Sequence, residues 1–327
     1  MKGFCMQKTD FPYICIVMDD CSTDGEQEEI KRYYQENFDQ CDTEETDDYV
    51  LNFGRHKINE NCYFAVFYLK YNHYSIKKDK NPYYARWYDN CKYVAFCEGD
   101  DYWIDEKKLQ MQVKFLETNL TYSACYSNVL VVDEENKNDN IAQKEYPLFP
   151  AHTIHISNTY YVGLISQTAT LLARKCIVDK ISKYDKKNVN GDVLLSITAR
   201  AMGNIYFFSE IFAKYRRIYN NGSWSAITYK KDMSLYYFKS RIELFNYSSE
   251  IGKDYSNRDY YLANLIFSKI SSTLVHPSKS NFSILCTMIK LCNFKIKLPL
   301  YFLRKCIAKL KKESFYTEKL KMRINTK

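Results

Sequence analysis

Residues 92–117 read KYVAFCEGDDYWIDEKKLQMQVKFLE, and the middle of this stretch holds the residue types best suited to chemistry. The apolar run Tyr93, Val94, Ala95 and Phe96 leads straight into the carboxylates Glu98, Asp100 and Asp101, with Gly99 between the first two. Three acids this close repel one another unless a proton or a cation sits among them. A hard ion such as Mg²⁺ takes one or two carboxylates and completes its shell with water and substrate phosphates, which suits this spacing. An exposed acid-Gly-Asp turn is the plainer alternative. A second unit weighs against it: residues 13–25 read YICIVMDDCSTDG, again an apolar strand pattern ending in two acids, Asp19 and Asp20.

These acids need elements to hold them. Strands are predicted at Tyr13 to Met18 and Tyr93 to Phe96, each followed by a helix, as in an α/β sheet that binds ligands beyond its strand ends. Ser22, Thr23 and Asp24 are cap candidates for the first helix, Asp24 as a cap rather than a ligand. In the second, Asp105 is the expected cap, and Leu109, Val113 and Leu116 form the apolar face. The acidic stretch 39–48 reads as irregular, 63–69 as a strand and 77–82 as a polar loop. Further strands are expected at 123–132, 166–173 and 205–209. A helix is expected over 193–201, and from the residues alone Asp192 is its N-cap. After about residue 232 the pattern is helical, which divides the chain into 1–230 and a helical region 231–327.

Charge is uneven. The chain carries +8, yet residues 290–327 alone carry +10, so the remainder is slightly acidic. Within that tail, Leu303, Cys306, Ile307 and Leu310 recur at helical spacing with Arg304, Lys305, Lys309, Lys311 and Lys312 around them. Such a basic amphipathic helix suits an anionic membrane surface, or packs on its own domain with its charges solvated. A short basic segment on an acidic body argues against nucleic acid. The 12 cysteines include no C-x-x-C pair, and they read as reduced thiols of a cytoplasmic protein. His152 and His155 have no obvious co-ligands nearby in sequence, and no run reaches the roughly 18 apolar residues of a membrane span.

With these residues in view, the chain resembles the family 2 glycosyltransferases, in particular a bacterial group with EGDDYW followed by K-x-L-Q-x-Q-V-x-F-L-E. Here those motifs are residues 98–103 and 108–117. The D-D-x-S-T-D-G unit at 19–25, Ser166-Gln167-Thr168-Ala169-Thr170, Gly191-Asp192 and YRRIYNNGSWS at 215–225 complete an ordered set. The resemblance implies a GT-A fold, an α/β/α sandwich with a mostly parallel sheet. It also implies inverting transfer of a sugar from a nucleotide-sugar, UDP-linked by expectation, to an acceptor hydroxyl of a glycan or glycolipid precursor. Asp19 and Asp20 would then lie at the nucleotide, with Asp20 on the base, and Glu98 would face the ribose. Asp100, with Asp101 beside it, would hold Mg²⁺ or Mn²⁺ against the diphosphate. Asp192 would be the general base, Arg216 would pair with phosphate, Trp224 would pack over the site, and Gln167 and Thr168 would line the acceptor side. Membership further suggests a cytoplasmic enzyme, peripheral at the inner face of the cell membrane through its tail.

One departure stands out. Family members open with a strand of the type V-S-I-I-x-P-x-Y-N, followed by a helix ending near G-F-x-x-Q. Gly3-Phe4-Cys5-Met6-Gln7 matches that helix end, and only Met1 and Lys2 come before it. A late start or a genuine truncation would both produce this. A sheet lacking that strand is expected to keep two unpaired edges and exposed apolar surface. A non-catalytic remnant that binds a nucleotide or a partner is therefore the alternative to an active transferase. Ala85-Arg86 sits about two residues upstream of the family's Ala-Arg, and no role is assigned to it.

Overall fold

The structure, a computed structural model, describes residues 1–155, 165–184, 189–217, 233–251 and 258–291. A short helix α1 (Lys2–Cys5) leads into β1 (Tyr13–Asp19) and α2 (Glu26–Asn37). Then β2 (Phe38–Glu45), β3 (Tyr49–His56) and β4 (Cys62–Leu69) follow without an intervening helix. The next elements are α3 (Asn81–Tyr88), β5 (Tyr93–Ala95), β6 (Tyr102–Trp103), α4 (Lys108–Thr118) and β7 (Tyr122–Val132). Beyond them lie β8 (His152–Ile154), β9 (Leu172–Arg174), α5 (Lys175–Ser182), α6 (Gly191–Met202) and β10 (Asn204–Arg216). Three helices close the described chain: α7 (Ser234–Glu250), α8 (Arg258–Val275) and α9 (Lys279–Lys290).

The strands form two sheets, ordered β1-β4-β3-β2 and β5-β9-β7-β10-β6, with β8 on β10. The expectation of a mostly parallel sheet is corrected here. Among the described residues only β1–β4 and β7–β10 pair in parallel, and every other pairing of strands is antiparallel. The physical reason is connection length: residues 46–48 and 57–61 are too short for the crossover a parallel neighbour needs, so β2, β3 and β4 form a meander. The acidic stretch expected to be irregular is β2 itself. It is the outermost strand and almost wholly exposed, so its acids project into water, where charge on an edge strand is favourable.

Among the described residues, strand β1 ends one sheet and β5 ends the other, and both border one cavity of 1910 Å³. Helices α7, α8 and α9 contribute Phe238, Leu244, Ile266 and Met288 to the same core as Leu194 and Ile197 of α6. No helix of the described residues is long and apolar enough to cross a membrane. The basic amphipathic segment at 303–312 lies outside the described residues.

Candidate active site

The acids of both strand ends meet at one end of this cavity, which Asp19, Asp20, Glu26, Glu98 and Asp101 all line. Asp19 is the last residue of β1 and is buried, its carboxylate accepting from the Gln27 side chain at 2.6 Å and the Ser22 N–H at 3.3 Å. Asp20 accepts from the His73 N–H at 2.7 Å, the Tyr74 N–H at 3.0 Å and the Lys80 ammonium at 3.1 Å. Burial works to raise its pKa, but these donors outweigh it and hold the carboxyl below its ordinary range. No sequence pattern singles out His73 or Lys80, which come from the loop after β4, 53 and 60 residues on.

Asp24 accepts from the Glu26 N–H at 3.2 Å but is not the N-cap of α2: Gly25 holds that position, with a left-handed φ of 92° that turns the chain into the helix. That turn carries Glu26 toward Gly99 of the second acid unit. Desolvation raises the Glu26 carboxyl, Asp24 and Asp19 add to this, and Arg216 opposes it.

The second unit is balanced differently. Asp101 is buried and accepts from the Arg216 N–H at 3.0 Å, while Arg216 Nε donates to the Asp100 carbonyl at 3.0 Å. These two bonds donated by Arg216 fasten the end of β10 to the Asp-Asp turn. Burial, and next the charges of Asp100 and Glu98, push Asp101 up to about 7 against the pull of Arg216. Glu98 is likewise raised, first by desolvation and then by Asp100 and Asp192, with the Thr168 hydroxyl opposing.

Asp192 lies in the first turn of α6, with Asn190 in the cap position, so it is not the N-cap read from the residues alone. Its Oδ1 accepts from the adjacent Val193 N–H at 2.7 Å. It is half-buried, and burial raises its pKa, opposed by that N–H and by Arg241. Asp192 and Glu98, distant in sequence, are near enough for the Asp192 charge to act on Glu98.

A polar scaffold sets the second unit in place. Gln7 Oε1 accepts the Leu109 N–H at 3.0 Å, capping α4 from a distant part of the chain. Asp105, expected to cap that helix, instead accepts from the Lys107 N–H at 2.7 Å in the preceding turn. Trp103 Nε1 donates to the Ala169 carbonyl at 2.9 Å, and Gln112 to the Thr170 carbonyl at 2.8 Å. The EGDDYW and K-x-L-Q-x-Q motifs therefore grip the Ser-Gln-Thr-Ala-Thr segment and bring Thr168 onto Glu98. Lys108 is fully buried, its ammonium 2.8 Å from Gln112 Oε1 and 4.4 Å from the centre of the Trp103 ring. Gly3 lies so close to this block that a Cβ there would sit 2.5 Å from the Trp103 carbonyl oxygen.

The structure thus brings Asp19, Asp20, Glu98 and Asp101 to one cleft, with Arg216 fastened to Asp101 and Asp192 within electrostatic reach of Glu98. Asp100 is half-exposed on the same turn. Gln167 is used internally, donating to the Tyr146 hydroxyl at 2.6 Å. Trp224, with the loop beyond residue 217, lies outside the described residues. Among the described residues, no three His, Cys, Asp or Glu side chains close on a point as an all-protein metal cage. The donor set is hard oxygen, and the raised carboxyls lack enough positive charge nearby. Both facts fit an ion that completes its shell with phosphate and water.

No family model matches the chain. Uncharacterised proteins of Mycobacterium bovis and Mycobacterium tuberculosis are 27% identical to it over 229 residues. That alignment takes in 68% of this chain and 55% of theirs, so the chain spans little more than half the length of these relatives. Among solved structures, a mannosyltransferase from Pyrobaculum calidifontis, in complex with GDP-Man and Mn²⁺, is 10% identical with a TM-score of 0.41. That likeness covers 96% of this chain and 82% of the other.

Proposed function

We propose that this chain is a glycosyltransferase that moves a sugar from a nucleotide-sugar, UDP-linked in our reading, to an acceptor hydroxyl of a glycan or glycolipid precursor. The observation that carries the reading is the convergence of two strand-end acid turns on one cleft, with Glu98, Asp101 and Asp192 all raised in pKa and the Asp192 charge acting on Glu98. Perturbed carboxyls in a cleft are what acid-base and cation chemistry need. Asp20, with its neighbours His73 and Lys80, lies at the nucleotide end, and Glu98 faces the ribose. Asp100 and Asp101 would hold Mg²⁺ or Mn²⁺, which when bound neutralises charge growing on the diphosphate leaving group. Arg216, fastened to that turn, adds positive charge on the same side. Asp192 takes the proton of the acceptor hydroxyl, and its raised proton affinity suits a base working near neutrality. A single base opposite the leaving group inverts the anomeric centre in one step. In this reading the protein works in the cytoplasm, its basic tail resting on the anionic inner face of the membrane.

The β1 and β5 edges left unpaired among the described residues favour a second reading, a non-catalytic protein that binds a nucleotide or a partner. Mn²⁺-dependent turnover of a nucleotide-sugar panel, native against Asp192→Asn, separates the two. Turnover by the native chain that collapses in the variant supports the transferase. A folded native chain inert toward every donor supports the second.

A further inference from the structure

The loop joining β4 to α3 carries His73, whose side chain is fully buried with a polar partner at each ring nitrogen. Nδ1 lies 2.8 Å from the Tyr71 carbonyl oxygen, and Nε2 lies 3.0 Å from the Tyr83 hydroxyl. Turning the ring over would put carbon at both places and lose both bonds. A carbonyl can only accept, so Nδ1 supplies the hydrogen of the first bond.

The second bond is settled by what else Tyr83 does. Its hydroxyl is 3.0 Å from Oδ2 of Asp48, in the turn between β2 and β3. Asp48 is a carboxylate: the Lys78 ammonium at 2.5 Å, and next the Tyr71 hydroxyl, hold its pKa down to about 2. It brings no hydrogen, so Tyr83 donates its single one to Asp48. A His73 with hydrogen on Nδ1 alone would then set a bare Nε2 against the phenol oxygen. If Tyr83 turned to the ring instead, two bare oxygens would face each other at Asp48. Either contact leaves buried polar atoms unpaired, which is costly. Hydrogen on Nε2 as well satisfies every contact.

A buried cation needs compensation. Asp20 supplies it, with Oδ1 accepting the His73 backbone N–H at 2.7 Å and lying 3.9 Å from Nδ1. The Tyr71 ring stacks on the imidazole with centroids 4.4 Å apart, and an aromatic face attracts a cation. The charged and titratable groups around the ring are Asp20 after β1, Asp48 before β3, Tyr83 on α3, and Tyr71, Lys78 and Lys80 of the loop itself. Lys78 pairs with Asp48 and Lys80 with Asp20.

We infer that His73 carries a hydrogen on both ring nitrogens and, as this imidazolium, is a positioning residue for the nucleotide end that acts through Asp20. The inference rests on the reading of Asp20 as a nucleotide contact. The imidazolium ties the turn after β1 to the β2–β3 turn and to α3. Without its second hydrogen the bond to Tyr83 is lost and the loop loosens its hold on Asp20.

The test is ring-nitrogen magnetic resonance of the full chain with isotope-labelled histidine, His73 being assigned by its absence from His73→Gln. Near neutral pH the native His73 should show hydrogen on both nitrogens. In Asp48→Asn the new amide can donate to Tyr83, Tyr83 can then donate to Nε2, and His73 should show one. UDP affinity, read by calorimetry, should be about fivefold weaker in Asp48→Asn at about pH 8 and return toward the native value at about pH 6, where the ring regains its proton. A loss of structure alone would weaken binding equally at both. If Asp48→Asn does not fold, Tyr83→Phe, which leaves Nε2–H without an acceptor, should give the same pair of results. A bare ring nitrogen in the native chain would overturn the inference, and so would UDP affinity that is unchanged or equally weakened at both pH values. UDP bound by neither chain would overturn the nucleotide reading, and the role through Asp20 with it, while both ring hydrogens still register.

Discussion

Two turns of similar sequence, Asp19-Asp20 after β1 and Glu98 to Asp101 after β5, reach opposite electrostatic states. At the first, two backbone N–H groups and the Lys80 ammonium hold Asp20 ionised. At the second, desolvation and mutual repulsion raise the exposed Glu98 and the buried Asp101, and Arg216 compensates only in part, at Asp101. The first turn is neutralised within the protein and the second is left short of positive charge. A strand-acid-helix pattern thus marks where carboxylates gather, while the loops packed around it decide whether they await a cation.

The largest effect should come from the base beside the second turn. Asp192→Asn should lower sugar transfer by about 10²- to 10⁴-fold while leaving nucleotide affinity intact, as read by turnover and calorimetry side by side. Equal loss of affinity would instead place Asp192 in the donor pocket.

Removing the charge at the first turn should act on folding. Asp20→Asn weakens three hydrogen bonds to a carboxylate and should destabilise the chain by about 2 kcal/mol, measured by urea unfolding. Because the Asp20 pKa is lowered on folding, its contribution is present above the ordinary carboxylate range and is lost as pH falls through the folded value.

The second turn should show the opposite sign. The folded Asp101 carboxyl, raised to about 7, keeps a proton that the unfolded chain releases near pH 4, so its contribution to stability falls as pH rises between those values. Asp101→Asn should flatten that part of a melting-temperature profile, and an unchanged slope would assign the titration elsewhere. A smaller effect, about 1 kcal/mol, is expected from Gln7→Ala, which uncaps α4 behind the same turn. A loss confined to the first sheet would contradict that role.

Much of this was legible before the fold was known, for identifiable reasons. The runs at 13–18, 63–69 and 123–132 are apolar enough to declare strands, and both acid turns follow such runs directly. Strand β2 was hidden because an exposed edge places no demand for apolar residues on Asp39 or Asp42. The cap on α4 was misassigned to Asp105 because sequence proximity favours it, whereas Gln7 reaches Leu109 only through the tertiary fold. His73 and Lys80 were invisible for the same reason. The proton affinities of Glu98 and Asp101 could not be read from composition, because they depend on burial and on Arg216 arriving from the end of β10.

In the proposed function the turn after β5, not the one after β1, takes the cation. Electron paramagnetic resonance of Mn²⁺ with UDP tests this most directly, on the native chain, Asp100→Asn and Asp20→Asn. Bound Mn²⁺ should disappear in Asp100→Asn and persist in folded Asp20→Asn at saturating UDP. Retention in Asp100→Asn with loss in folded Asp20→Asn would contradict it.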